Sequence, residues 1–228
     1  MERVDVELDV LSKNDGRAEA NRRRVRRQGS AMLNLISSPG AGKTTLLERS
    51  VKSLSRSCDV CVVEGDQQTD NDARRIKAAG ARAVQVNTLD GCHLEAKQVD
   101  AALDLLEPAP GGIVFIENVG NLVCPVLYDL GETARVVIAS VTEGEDKPLK
   151  YPRAFETAQL CLVTKGDLLP YLDFDYEEFL DNIHATNPRI EVIPVGVGQD
   201  ERWEAWVRAH ARRIAQEAGI ESGKEACA

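Results

Sequence analysis

Residues 31–54 read AMLNLISSPGAGKTTLLERSVKSL, and this stretch decides the fold. Ala31 to Ser37 is a nearly continuous apolar run of strand length, as expected of a strand buried on both faces. Lys43 to Leu54 repeats its apolar residues at helical spacing. Between them lies Ser37-Ser38-Pro39-Gly40-Ala41-Gly42-Lys43-Thr44-Thr45. A strand, a glycine-rich loop and a helix in that order form a phosphate-binding loop. Gly40 and Gly42 let successive N–H groups turn toward phosphate oxygens, and the helix N-terminus adds a positive field. In this reading Ser38, Gly40, Ala41, Gly42, Lys43, Thr44 and Thr45 hold a nucleotide. Lys43 reaches the β/γ-phosphates and the Thr44 hydroxyl ligates Mg²⁺. Ser37 stands where the usual pattern begins with glycine.

Beyond this stretch the chain alternates short apolar runs with amphipathic ones. Strands are expected at Val60 to Glu64, Ala83 to Val86, Gly112 to Glu117, Ala134 to Val141, Leu160 to Thr164 and Glu191 to Val195. Helices are expected at Asp72 to Ala79, His93 to Leu106, Tyr176 to His184 and Trp203 to Glu217. Strands joined by helices describe an α/β fold: a single P-loop NTPase domain, with a mostly parallel sheet and helices on both faces. The expected division is an N-terminal helical extension over 1–30, the nucleotide-binding domain over 31–218 and a flexible tail over 219–228. In the extension Asp15 is placed to cap a short helix that Gly29 ends. The Arg22 to Arg27 stretch reads as a solvated helix face, a docking patch, or an arginine reaching a nucleotide across a dimer.

The formal net charge of −9 and the aromatic content of 4% argue against a nucleic-acid or anionic-membrane partner. The start, MERVDVELDVLSKND, lacks the apolar core of a secretory signal, and apolar runs fall short of a membrane span. A cytoplasmic protein with mostly reduced thiols is expected.

Two carboxylates complete the expected Mg²⁺ site. Asp66 follows the second strand, and Glu117 ends the strand Ile113-Val114-Phe115-Ile116-Glu117. An acid at a strand's C-terminal end, beside the phosphate loop, lies where open α/β sheets bind ligands. Gly120 follows as a γ-phosphate sensor, so Lys43, Asp66, Glu117 and Gly120 form the expected catalytic group. Base choice is assigned to Thr164-Lys165-Gly166-Asp167. A carboxylate at Asp167 accepts from guanine N1–H and its 2-amino group, whereas adenine leaves it unsatisfied. The Lys165 stem lies along the purine. The order of these pieces favours GTP.

Of six cysteines, Cys61 and Cys161 lie in apolar strands and read as core residues; Cys58 and Cys227 suggest no function. Cys92 and His93 are adjacent, at what the pattern makes a helix N-terminus, where a thiolate is stabilised. Cys124 follows the γ-phosphate sensor. Soft thiolate with imidazole suits Ni²⁺ or Zn²⁺. Three ligands fall one short of a closed tetrahedral site, and a second copy of the chain would supply more. The competing reading is two unrelated thiols.

Four strings carry a resemblance: residues 37–47, Cys92-His93-Leu94, Glu117 to Pro125, and Val141-Thr142-Glu143-Gly144-Glu145-Asp146-Lys147-Pro148-Leu149-Lys150-Tyr151-Pro152. Together they closely resemble the HypB family, nickel-incorporation GTPases of the SIMIBI P-loop class, in order from about Asn14 to Trp206. The resemblance implies a GTP-hydrolysing metallochaperone for nickel–iron hydrogenase that binds GTP/GDP and dimerises with nucleotide or metal. It implies nickel or zinc at Cys92, His93 and Cys124, and as partners a HypA-like zinc protein and the hydrogenase large-subunit precursor. Thr164 departs from the family's common Asn, and Val195-Gly196-Val197 from a common Ser-Ala pair at the base. An N-terminal cysteine motif and a His-rich nickel store, found in some members, are not carried over. Because Gly120 and Cys124 share one segment, nucleotide state is expected to alter the grip on metal. Rival readings are a urease-type nickel GTPase, an ATP-dependent kinase-like enzyme with structural cysteines, and a regulatory GTPase without metal transfer.

Overall fold

The computed structural model describes residues 6–66, 71–88 and 91–220; the side chains of residues 6–10, Asp66 and Asn71 are not among those described. Its strands are β1 (Ala31–Ser37), β2 (Val60–Asp66), β3 (Arg82–Asn87), β4 (Ile113–Glu117), β5 (Ala134–Ser140), β6 (Leu160–Thr164) and β7 (Glu191–Pro194). The α-helices are α1 (Val6–Arg27), α2 (Lys43–Leu54), α3 (Asn71–Ala79), α4 (Ala96–Leu106), α5 (Cys124–Leu127), α6 (Lys147–Lys150), α7 (Pro152–Glu156), α8 (Tyr176–Thr186) and α9 (Glu201–Glu217). The strands form one sheet in the order β3-β2-β4-β1-β5-β6-β7, and every pairing is parallel.

Alternation along β1 explains the two-sided core. Ala31, Leu33 and Leu35 face a cluster with Leu46, Leu47 and Val51 of α2, Ile76 of α3, and Trp203 and Val207 of α9. Met32 joins Val25 of α1 and Val99, Leu103 and Leu106 of α4 on the other face. Further along that face Ile36 packs with Val126 of α5, Phe155 of α7 and Phe179 and Ile183 of α8. β1 sits where the connections reverse direction, from β2 and β3 on one side to β5, β6 and β7 on the other. Open α/β sheets place ligands at the carboxyl edge near such a point.

Two expectations about helices are corrected. Asp15 does not cap a short helix, because α1 runs through it from Val6 to Arg27. The helix does end before Gly29, whose φ is +61. α4 begins at Ala96, not His93: Glu95 and Gln98 make a reciprocal capping box, and Glu95 N–H donates to Gln98 Oε1 at 2.8 Å. Cys92 therefore lies ahead of the helix, outside its N-terminal turn. Three further helices, α5, α6 and α7, are each only a turn or so long and carry no amphipathic repeat in the sequence.

The arginine-dense end of α1 is tied down by intramolecular pairs. Arg22 bonds both Asp129 oxygens, at 2.7 and 2.6 Å, and Arg24 reaches Asp104 at 2.5 Å. The expected tail falls largely outside the described residues, as does Cys227.

Candidate functional site

The phosphate loop leaves the carboxyl end of β1 and enters α2. Gly40 and Gly42 take φ values of +75 and +90, which side-chain-bearing residues rarely adopt, so the loop's turn requires glycine there. A cleft of about 570 Å³ opens above it, lined by Ser37 to Thr45, Glu64, Gly65, Asp72, Arg75, Glu117, Gly120 and Lys165. Nearly all the expected phosphate and Mg²⁺ residues thus meet in one place. The Asp66 side chain lies outside the described residues.

Within the cleft, Thr44 Oγ1 donates to Glu117 Oε1 at 2.6 Å and lies 3.3 Å from Asp72 Oδ2. The buried Lys43 ammonium donates to the Asn118 carbonyl and stands 3.9 Å from Glu117. Sequence reasoning missed Glu64. Parallel register sets it beside Glu117, and the two carboxylates are 3% and 2% exposed. Burial, then the charge of Glu117 and a hydrogen bond to it, push Glu64 up to about 10, so it holds a proton at neutral pH. Glu64 Oε2 and Glu117 Oε2 are buried without a hydrogen-bond partner, leaving oxygen capacity unused beside the loop.

The base-recognition residues follow β6. The Thr164 hydroxyl donates to the Ala41 carbonyl at 2.6 Å, joining this strand to the phosphate loop. Lys165 adopts φ +59 and borders the phosphate cleft. Asp167 is exposed and lines a neighbouring cleft of about 520 Å³ with Gly166, Val195, Gly196 and Val197.

The thiols and imidazole come together as expected. One ligand atom each from Cys92, His93 and Cys124 lies within 4.8 Å of the others, and all three residues are half-buried. Cys92 Sγ is 3.6 Å from His93 Nδ1, and the imidazole stacks on Tyr128 with ring centroids 3.8 Å apart. The stabilised thiolate expected of Cys92 is not found. Its hydrogen bond to Cys124, then burial, push its pKa up, while burial pushes that of His93 down. Both shifts favour the uncharged forms of Cys92 and His93. Burial and the Asp59 charge push Cys61 up to about 12, and Cys161 is buried in the core.

A family model for the CobW/HypB/UreG nucleotide-binding domain matches residues 31–194. The hydrogenase maturation factor HypB of Rhizobium leguminosarum bv. viciae is 52% identical over 215 residues, 93% of this chain and 72% of that protein. The chain belongs to the HypB family. HypB of Escherichia coli (strain K12) is 52% identical over 204 residues, 90% of this chain and 70% of that protein. The crystal structure of Helicobacter pylori HypB in complex with nickel aligns with a TM-score of 0.82 at 36% identity, covering 88% of this chain and 96% of that one. HypB from Archaeoglobus fulgidus aligns with the same TM-score of 0.82 at 33% identity, covering 88% of this chain and all of its own. A signal recognition particle protein from Aeropyrum pernix shares only the fold, at 15% identity and a TM-score of 0.54. As in other HypB-family chains, residues 31–194 form a nucleotide-binding domain.

Proposed function

We propose that this chain is a GTP-hydrolysing metallochaperone that delivers nickel during maturation of nickel–iron hydrogenase. The observation that carries the reading is the convergence of Cys92, His93 and Cys124 beside a segment, Glu117 to Asn121, that also borders the phosphate loop. Family membership supports the biological setting, and the nickel complex of the Helicobacter pylori protein supports the cargo.

The phosphates would rest on the amides of residues 40–45 and on Lys43, which neutralise charge as it builds on the leaving GDP. Mg²⁺ fits the donor set, since Thr44 and Glu117 offer hard oxygens and Glu117 retains an unpartnered one. Held by those two side chains, the ion would supply positive charge against the phosphate oxygens. Asp66, at the end of β2, would be the second carboxylate for Mg²⁺, and Gly120 would sense the γ-phosphate through its N–H. Thr164, Lys165 and Asp167 would select guanine, with Asp167 accepting from N1–H and the 2-amino group.

Nickel or zinc would be held as cargo by Cys92, His93 and Cys124, the softer set suiting those ions over Mg²⁺. Val123 and Leu127, 54% and 37% exposed, flank Cys124, so a second copy docking there would shield apolar surface and add ligands. A HypA-like zinc protein and the hydrogenase large-subunit precursor are the proposed donor and acceptor. No helix among the described residues is long and apolar enough to cross a membrane, and we place the work in the cytoplasm.

Metal titration of the full chain, wild type and with Cys92→Ala, His93→Ala or Cys124→Ala, tests this directly. Each substitution is expected to weaken Ni²⁺ binding by about tenfold or more while GDP binding persists. Stoichiometric Ni²⁺ retained in all three variants would refute the metal reading. A preference for ADP over GDP would refute the nucleotide one.

A further inference from the structure

We infer that Asn118 is a positioning residue that carries occupancy of the phosphate loop to the Cys92–His93 half of the metal site. This rests on the nucleotide-and-metal reading above and names the regulatory contact within it.

The Asn118–Val119 peptide is a rigid plane, and its two polar ends point to different sites. Its carbonyl accepts from the Lys43 ammonium. Its N–H, that of Val119, donates to Asn118 Oδ1 at 3.0 Å. The same Oδ1 accepts from the backbone N–H of Leu94 at 3.2 Å. Leu94 directly follows His93 and is wholly buried. One carboxamide oxygen therefore holds the metal loop and one edge of a peptide whose other edge holds the phosphate-loop lysine.

The surroundings leave that peptide little room to move except by tilting. Asn118 is 0% exposed, and its Nδ2 donates to Asn34 Oδ1 on β1 at 3.3 Å. At Gly120 even a Cβ would come within 3.2 Å of Pro39 Cα, so this segment lies hard against the phosphate loop. A bound γ-phosphate would draw on the Lys43 ammonium that now serves the Asn118 carbonyl. As the ammonium leaves, the Asn118 carbonyl loses a charged donor, the peptide tilts, and the Val119 and Leu94 amides no longer share Oδ1 on the same terms. The Cys92–His93 segment loosens or tightens accordingly. A parallel tie runs through Asn121, whose Nδ2 reaches the Cys92 carbonyl at 3.5 Å and whose Oδ1 accepts from Val123 and Cys124 N–H at 2.7 and 3.4 Å. Asn118 differs from Asn121 in touching the lysine directly.

The test measures Ni²⁺ affinity of the full chain with Mg²⁺–GDP and with a non-hydrolysable GTP analogue. In the wild type the two affinities are expected to differ by about fivefold or more, the usual scale of coupling between sites. Asn118→Ala should bring the ratio to within about twofold of unity, and Asn118→Asp, which keeps the acceptor for Leu94, should retain it. GDP affinity should persist in both. Asn118→Ala with the wild-type ratio would overturn the relay and leave the metallochaperone reading standing. A wild-type chain with equal affinities would overturn the coupling itself. Hydrogen exchange at the Leu94 amide of the wild type is a readout independent of whether the variants fold. Its rate should differ between the two nucleotide states, and an identical rate would overturn the relay.

Discussion

Thr164 shows how one hydroxyl can serve two parts of the molecule. Its Oγ1 lies 2.6 Å from the Ala41 carbonyl and 3.2 Å from that of Ala139, so it fastens the end of β6 to the phosphate loop and to β5. The sequence suggested only an amide missing from a guanine-reading tetrad. Thr164→Val preserves shape but leaves a buried carbonyl without its donor, at a cost of about 1–3 kcal/mol. Urea unfolding should register that loss together with weaker GDP binding, whereas Thr164→Ser should stay near wild type. Equal stability of the valine and serine variants would show that the bond contributes nothing. Lys43, Thr44 and Glu117 were legible in the sequence because their spacing within a strand–loop–helix unit encodes their positions. Glu64 was not, since its role depends on the register that sets β2 beside β4 and brings it level with Glu117. Asp72 likewise enters only because α3 returns over the loop, close enough for its carboxylate to reach Thr44.

At the scale of elements, α1 acts as a clasp on the start of α4. Asn14 Oδ1 accepts the Ala96 N–H at 2.9 Å, and its Nδ2 donates to the Asp129 carbonyl at 2.7 Å. Asn21, wholly buried, donates to the carbonyls of Ala96 and Leu130 at 2.9 and 3.1 Å. The first amide of a helix has no partner within it, so α1 supplies from outside what Cys92 and His93 were expected to begin from inside. Periodicity over residues 93–106 placed His93 and Leu94 in the helix because Leu94 falls on the apolar face. The structure instead binds the Leu94 N–H to Asn118 and starts the helix at Ala96, a long-range contact that no local pattern encodes. Asn14→Ala should therefore cost about 1–3 kcal/mol in a denaturant melt, by leaving a part-buried carbonyl and a buried helix N–H unpaired. A cost near zero would mean that α1 merely rests on α4. The strands β1, β4 and β6 and the helix α2 matched their expected spans to within a residue, because each is bounded by glycine, by an acid or by a polar turn.

The whole molecule is one parallel sheet covered on both faces, and the sequence made its class readable while its strand order stayed hidden. Val- and Ile-rich runs say that a strand is buried, but which neighbour it takes is settled by pairing across the chain. α9 illustrates this, since it crosses back to β1 and is fastened there by His210. Arg213 lies 3.2 Å from His210 Nδ1 and can only donate, so Nε2–H donates to Thr133 Oγ1 at 2.9 Å; that hydroxyl also bonds Met32 of β1. The ring stacks nearly parallel on Trp206, with centroids 5.2 Å apart. Burial first, then the charges of Arg213 and Arg26, hold His210 down to about 4, with Glu217 opposing them. The folded chain thus keeps the imidazole neutral, while the unfolded chain takes up a proton below about 6.5. The resulting contribution to stability is whole above pH ~6.5, falls as pH drops, and is lost near the folded value, for a total of ~3 kcal/mol. His210→Gln retains a donor and an acceptor but does not titrate. The gap between wild-type and variant unfolding free energies should therefore shrink as pH is lowered from 7 to 4. A gap that stays constant over that range would show that the folded protein accepts the proton as readily as the unfolded chain does.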